Sequence, residues 1–376
     1  MSKRVMIYKG ELVKFNDSLK DIKIYEAGKP IELVVREFGI ESKDVVKLAS
    51  NENPKGCSPK VAIAIANNAH KAFLYPDDSF YELKDALSQR FNVKDSNIII
   101  GAGSDQILEF ISRALLSSTD SVLMSKVTFA MYEIYAKQMG ARIIRTASYQ
   151  HKTDEFIEAY QKYKPKIIYI CTPNNPTGDG TTKDDVFRII DAVDNDTLVV
   201  IDGAYMEYAK AKDKAYEITP NDILHRDNVI YLGTFSKAYG LGGMRVGYGI
   251  ANAKLIKELY KMRPPFNITT LSLLSAIEAC KDTKFVKESI DLHTQEIKKY
   301  EQFAIDNKLE YIDSYTNFIT YIFPDSMNST QISDSLLKEG VIIRNLASYG
   351  MNAIRITIGT VKQNNRFFEM FRKVIS

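Results

Sequence analysis

Residues 198–202, Leu-Val-Val-Ile-Asp, are four branched apolar residues closed by a carboxylate. A run without polar alternation suits a strand covered on both faces, the situation inside a parallel sheet. Similar runs recur near 98–100, 121–124, 142–146, 167–171 and 229–232. Helical patterns separate several of them, as crossovers between parallel strands require. The spacing predicts an α/β fold: a mainly parallel sheet flanked by helices. Beyond the paired prolines of Arg263-Pro-Pro-Phe266, which stop a helix, residues 271–279 and 285–305 read as helices. The second is long enough to link two domains. Strands are expected at 318–323, 341–344 and 354–358, completing a smaller α/β domain. The 376 residues exceed one typical domain of roughly 100–200. The expected division is an N-terminal arm, 1–34, a large domain, 35–265, and a small C-terminal domain, 266–376.

Charge narrows the partners. Lys and Arg number 50 against 47 Asp and Glu, a net +3, with no basic stripe interleaved with aromatics, so nucleic acid is not an expected partner. No apolar run approaches the roughly 20 residues that span a bilayer, and the first 25 residues are charged throughout, unlike a signal segment. Cys57, Cys171 and Cys280 are scattered and odd in number, which suggests a reducing cytoplasm. The four histidines show no paired spacing with cysteine, and no metal site is expected.

The ends of the apolar runs carry the chemistry. Asp202 closes one run, and ligands bind outside the carboxyl ends of open α/β sheets. Thr-Phe-Ser-Lys-Ala-Tyr-Gly-Leu-Gly-Gly-Met-Arg, 234–245, follows another run. Lys237 can hold a carbonyl there as a Schiff base, while Ser236 and Arg245 offer a hydroxyl and a forked cation to a phosphate. Aldehyde and phosphate together describe pyridoxal phosphate. Its pyridine nitrogen must stay protonated, and an adjacent carboxylate such as Asp202 raises the pKa of a cation by about 1–3 units. Tyr205, three residues on, is placed to reach the ring oxygen. Lys-Ile-Ile-Tyr-Ile-Cys-Thr-Pro-Asn-Asn-Pro-Thr-Gly, 166–178, ends in a loop stiffened by Pro173 and Pro176 that would hold Asn175 rigidly toward the same oxygen. Asn-Ile-Ile-Ile runs into Gly101-Ala-Gly-Ser-Asp105 and a helix, a geometry that cradles phosphate at Ser104 and Asp105. Each segment taken singly also fits a plainer role, as a glycine-rich surface loop, a strand-end cap or an ordinary turn.

Taken together, in order and spacing, these segments resemble the fold-type-I pyridoxal-phosphate-dependent aminotransferases, and within them the histidinol-phosphate aminotransferase family. The likeness runs from Tyr25-Glu-Ala-Gly-Lys-Pro through Leu48-Ala-Ser-Asn-Glu-Asn-Pro and Tyr75-Pro-Asp to Gly340-Val-Ile-Ile-Arg344 and Ile354-Arg-Ile-Thr-Ile-Gly-Thr360. The resemblance implies that Lys237 carries the cofactor, Asp202 pairs with its ring nitrogen, and Tyr205 and Asn175 address its ring oxygen. Ser236, Arg245, Ser104 and Asp105 would hold its phosphate, and Phe129 would stack on its ring where relatives usually have tyrosine. Tyr75 would be lent to the phosphate site of a second subunit, which implies a homodimer. Arg355 would hold the substrate's anionic group, and Arg344 and Tyr25 the phosphate of histidinol phosphate. The implied reaction passes an amino group from histidinol phosphate to 2-oxoglutarate, leaving glutamate. Three further departures from the family pattern are Gly203 for an acid, Gly233 for an arginine and Thr172 for an asparagine. Alternatives on the same fold are an aromatic amino acid aminotransferase, a decarboxylase of phosphorylated amino acids, or a binding protein that uses the fold as a scaffold.

Overall fold

The structure is a computed structural model that describes residues 13–20, 22 and 30–375. Tyr25 lies outside the described residues. The strands are β1 (Val46–Lys47), β2 (Ile98–Gly101), β3 (Ser121–Met124), β4 (Arg142–Arg145), β5 (Ile167–Cys171), β6 (Leu198–Asp202), β7 (Val229–Thr234), β8 (Gly247–Ala251), β9 (Glu310–Ile312), β10 (Phe318–Ile322), β11 (Val341–Ile342), β12 (Arg344–Asn345) and β13 (Ala353–Thr357). Seven form one sheet in the order β2-β8-β7-β6-β5-β3-β4. β8 alone runs against its neighbours. The pairing register sets Cys171 beside Asp202 and Asp202 beside Leu232. The carboxyl ends of β5, β6 and β7 therefore stand side by side.

The unbroken apolar runs are explained by burial on both faces. Ile98, Ile100, Leu123, Ile168, Ile170, Val199 and Ile201 point into one core. Their alternates Ile99, Val122, Met124, Ile167, Tyr169, Leu198 and Val200 point into another. This is the period of two of a pleated strand with helices on either side.

A third core gathers the four-stranded antiparallel sheet β12-β13-β10-β9 and the C-terminal helix Val361–Ile375. The cores are not cut at 34 and 265. Val46 and Leu48 belong to this C-terminal core, because β1 pairs in parallel with β11. Val34, Val45 and Ala49 pack with Ile342. Conversely Ile268, Leu273, Ala276, Ile277 and Ala279 pack into the large core, the helix Thr270–Lys281 lying on Pro59–Asn68. The prolines at 264 and 265 end a helix but not a packing unit, since packing is decided by non-local partners. The 24-residue helix Thr283–Asp306 bridges the two parts as its length suggested. Val286 and Ile290 pack against the large core, and Ile297, Tyr300, Phe303 and Ala304 lie in the C-terminal one. No helix among the described residues is long and apolar enough to cross a membrane.

Candidate active site

A cleft open to solvent lies at the carboxyl ends of β5, β6 and β7. Ser104, Asp105, Phe129, Asn175, Asp202, Tyr205, Ser236, Lys237 and Arg245 all line it. The strands deliver these groups directly: Asp202 is the last residue of β6, and Lys237 follows β7 by three positions. The lysine loop folds back on itself, with Phe235 N donating to Val246 O and Gly240 N donating to Lys237 O, both at 3.0 Å. Gly240 has φ +69°, and a Cβ there would stand 1.9 Å from Gly56 O, so this bend requires glycine.

Lys237 is half-buried, and its ammonium is pushed down to about 8, first by burial and then by the charges of Arg355 and Arg245. Glu52 and Asp202 oppose that shift. Half its molecules therefore carry a free amine near pH 8, where an ordinary lysine is almost wholly charged. Asp202 is 4% exposed. Burial pushes its carboxyl up, while Tyr132 Oη, donating at 2.6 Å, and Ala204 N, donating at 3.1 Å, favour the charged form.

The helix Ser104–Leu115 starts at the cleft, with Gly103, Ser104 and Asp105 in its lining. Its N-cap is Gly103 at φ +78°, and a Cβ there would sit 2.5 Å from Arg245 Nη2. Arg245 Nη1 donates to Ser236 Oγ at 3.3 Å and Nη2 to Ala102 O at 3.4 Å. A helix N-terminus, a hydroxyl and a guanidinium thus converge, as an anion requires. Asp105 accepts from Tyr135 Oη at 3.0 Å through Oδ2, and its buried Oδ1 has no partner among the described protein atoms.

Asn175 Oδ1 accepts from Arg355 Nη1 at 2.6 Å, which brings Arg355 to the edge of the cleft. Arg355 Nη2 donates to Ala49 O at 2.5 Å, and its guanidinium lies 5.1 Å from the centre of the Phe318 ring. Arg344 is Arg355's direct partner across β12 and β13 and is half-buried, but it does not line the cleft. Tyr75 does not line it either: its side chain is 81% exposed and its ring stacks on Phe266 at 4.7 Å.

Several partners escaped the reading of the sequence. Tyr132 and Tyr135 fix the two aspartates from the helix Ala130–Gln138. They lie three residues apart, so they share a helix face, and that spacing after Phe129 was the available signal. Asn51, at φ +55°, donates through Nδ2 to Tyr205 Oη at 2.9 Å. Buried Asn174 ties Val127 O, Thr177 and Thr128 together below Asn175. The three departures also acquire reasons. A Cβ at Gly203 would stand 2.4 Å from Tyr231 Oη, and one at Gly233 2.3 Å from the Tyr248 ring, so buried tyrosines fill both spaces. Thr172 Oγ1 accepts from Thr181 N at 3.0 Å and clamps the loop that holds Asn175.

The cleft therefore offers a buried acid, a lysine of lowered pKa, an aromatic face and an anion cradle, each a group that pyridoxal phosphate needs. Comparisons with known proteins agree. The family model described as aminotransferase class I and II matches residues 43–371. The chain is 72% identical to the histidinol-phosphate aminotransferase of Sulfurovum sp. (strain NBC37-1) over 97% of its own length and 100% of that protein. It is 58% identical to the protein of the same name from Sulfurimonas denitrificans, over 96% and 100%. Among solved structures, it resembles histidinol-phosphate aminotransferase from Sinorhizobium meliloti in complex with pyridoxal-5'-phosphate, with a TM-score of 0.88 at 24% identity, covering 97% of this chain and 98% of that one.

Proposed function

The chain belongs to the class I and II aminotransferases, and we propose that it passes an amino group between histidinol phosphate and 2-oxoglutarate in histidine biosynthesis, with pyridoxal phosphate as cofactor. The observation that carries the reading is Lys237, with its ammonium lowered to about 8, lining one cleft with Asp202, Ser236 and Arg245. The names of the relatives supply the substrate.

Bound in the cleft, pyridoxal phosphate supplies a carbonyl that carries an amino group and a ring that draws electrons from the adjoining carbon. Ser236, Arg245 and the start of the helix Ser104–Leu115 would hold its phosphate, Phe129 its ring face, and Asn175 and Tyr205 its ring oxygen. Asp202 would keep the ring nitrogen charged, and Tyr132 keeps Asp202 in one orientation. Lys237 Nζ takes the proton from the substrate carbon and returns it. Near pH 7 about a tenth of it is neutral, far more than for an ordinary lysine. Arg355 would hold an anionic group, since the guanidinium fork matches carboxylate and phosphate alike. The neighbouring Arg344 would add charge for a doubly charged phosphate.

A homodimer belongs to the same reading. Phe73, Leu74, Tyr75 and Tyr81 are each half or more exposed, and Phe266 is 43% exposed. Such apolar side chains on one surface favour a second copy, to which Tyr75 would reach. Location in the cytoplasm is proposed on the scattered free cysteines.

An absorbance titration of the cofactor-loaded protein tests the reading. Loss of the lysine-bound cofactor band at far lower histidinol phosphate than phenylalanine is expected. An equal or better response to phenylalanine would make the protein an aromatic amino acid aminotransferase. No band at all would remove Lys237 from its role.

A further inference from the structure

The substrate side of the cleft is rich in positive charge, with Arg355 at the edge and Arg344 beside it in register. The carboxylates that line the cleft, Asp105 and Asp202, are both engaged by tyrosine hydroxyls. The proposed donor substrate has three polar parts: an amine, a phosphate and an imidazole, a ring that in histidine titrates near about 6.5. Lysine and arginines account for the first two. A ring that donates hydrogen bonds and is partly cationic calls for an acceptor, best a charged one.

Glu52 meets that need. It sits in the segment 49–53, whose other members are tied to the walls of the cleft. Ala49 O accepts from Arg355, Asn51 N donates to Thr357 Oγ1 at 2.9 Å, and Asn51 Nδ2 donates to Tyr205 Oη. Asn53 Nδ2 donates at 2.9 Å to the carbonyl of Ala238, the residue after Lys237. Between two buried asparagines, the Glu52 side chain is 57% exposed, with Oε1 accepting from Lys47 Nζ at 3.0 Å. Fixed contacts on both sides hold the Glu52 backbone between the residue that meets Tyr205 and the residue that meets the lysine loop, with its carboxylate on Lys47 beside the cleft lining. From there its charge reaches Lys237.

We propose that Glu52 is a specificity-determining residue that accepts a hydrogen bond from the imidazole of histidinol phosphate. The assignment rests on the function proposed above. It also predicts a difference of sign between the two substrates: the same negative charge disfavours 2-oxoglutarate, a dianion with no donor to offer.

The test is calorimetry on the aminated form of the holoenzyme, which binds an amine donor without converting it. Glu52→Gln should weaken histidinol phosphate about tenfold or more, as for a hydrogen bond to a charged group. The steady-state KM for 2-oxoglutarate should stay level or fall. Lys47→Met, which keeps the carboxylate and removes its ion-pair partner, should leave histidinol phosphate binding unchanged or tighter. Equal affinity in Glu52→Gln would overturn the assignment alone. So would a Lys47→Met loss matching that of Glu52→Gln, or an equal rise in KM for 2-oxoglutarate. Wild-type holoenzyme that ignores histidinol phosphate would overturn both the assignment and the function beneath it.

Discussion

On the sheet side of the cleft, Asp202, Lys237 and Asn175 each follow closely from the carboxyl end of a strand, and those strands lie side by side. Where the small domain meets the cleft, the contacts join distant parts of the chain. Arg355 meets Ala49, and Thr357 meets Asn51, each across 306 positions, while Arg355 meets Asn175 across 180. The first wall is buried on both faces and built from short motifs. The second is assembled by long-range pairing of the small domain with the segment after β1. The proposed function puts the chemistry common to all substrates on the first wall, and the choice among substrates on the second. The division predicts that changes to the sheet wall act on turnover, and changes to the other wall on affinity.

Lys237→Ala gives the largest expected effect: a loss in kcat of at least about 10⁴-fold, the upper range for removing a positioned base. The absorbance band of lysine-bound cofactor should vanish with it. Asp202→Asn comes next, with half-reaction rates measured by stopped flow falling about 10²–10³-fold, as for loss of one preorganised electrostatic group. Thermal stability should hold or rise, because a buried carboxylate is replaced by a neutral amide that can still bond to Tyr132. Arg355→Gln should leave the absorbance band in place and raise KM for both substrates. Truncating a buried hydrogen-bonded charge costs about 2–5 kcal/mol. A large loss of kcat with KM unchanged would break the division of labour between the walls.

The smallest effect is also the one that couples the walls. If Lys237 is the base of the proposed function, its neutral form is the active one, and kcat should rise with pH through about 8. Arg355 is the largest charge lowering that value. In Arg355→Gln the inflection of the pH–rate profile should therefore move to higher pH, toward that of ordinary lysine. An unmoved inflection would mean that Arg355 does not set it, leaving burial and Arg245.

The same contrast explains what could be read in the sequence. β3, β5, β6 and β7 announced themselves because branched residues are needed on both faces. β8, Gly-Tyr-Gly-Ile-Ala, gave no such signal, since its glycines make room: a Cβ at Gly247 would stand 2.1 Å from Ser104 N. β9 is only three residues long and carries no pattern. The lysine, the acid and the cluster of Ser104, Ser236 and Arg245 in the cleft lining came from local motifs at strand ends. Asn51 was not, because its role depends on Tyr205 and Thr357, which only the fold brings near. Tyr75 and Arg344 stand outside the cleft of this chain. Their expected roles rest on a second subunit and on a doubly charged substrate.

The pairing of β1 with β11 has a consequence for synthesis. A ribosome delivers residues from the N-terminus at about 5–20 per second. The large sheet, complete once β8 has emerged, can form while the last third of the chain is still unmade. Val46 and Lys47 must wait for Val341 and Ile342, and Asn51 for Thr357. Until then Tyr205 has no Asn51 held against it, and Arg355 does not exist. The nascent chain can thus own its lysine and its acid before it owns the wall to which the proposed function assigns substrate, so selectivity would be the last property it acquires.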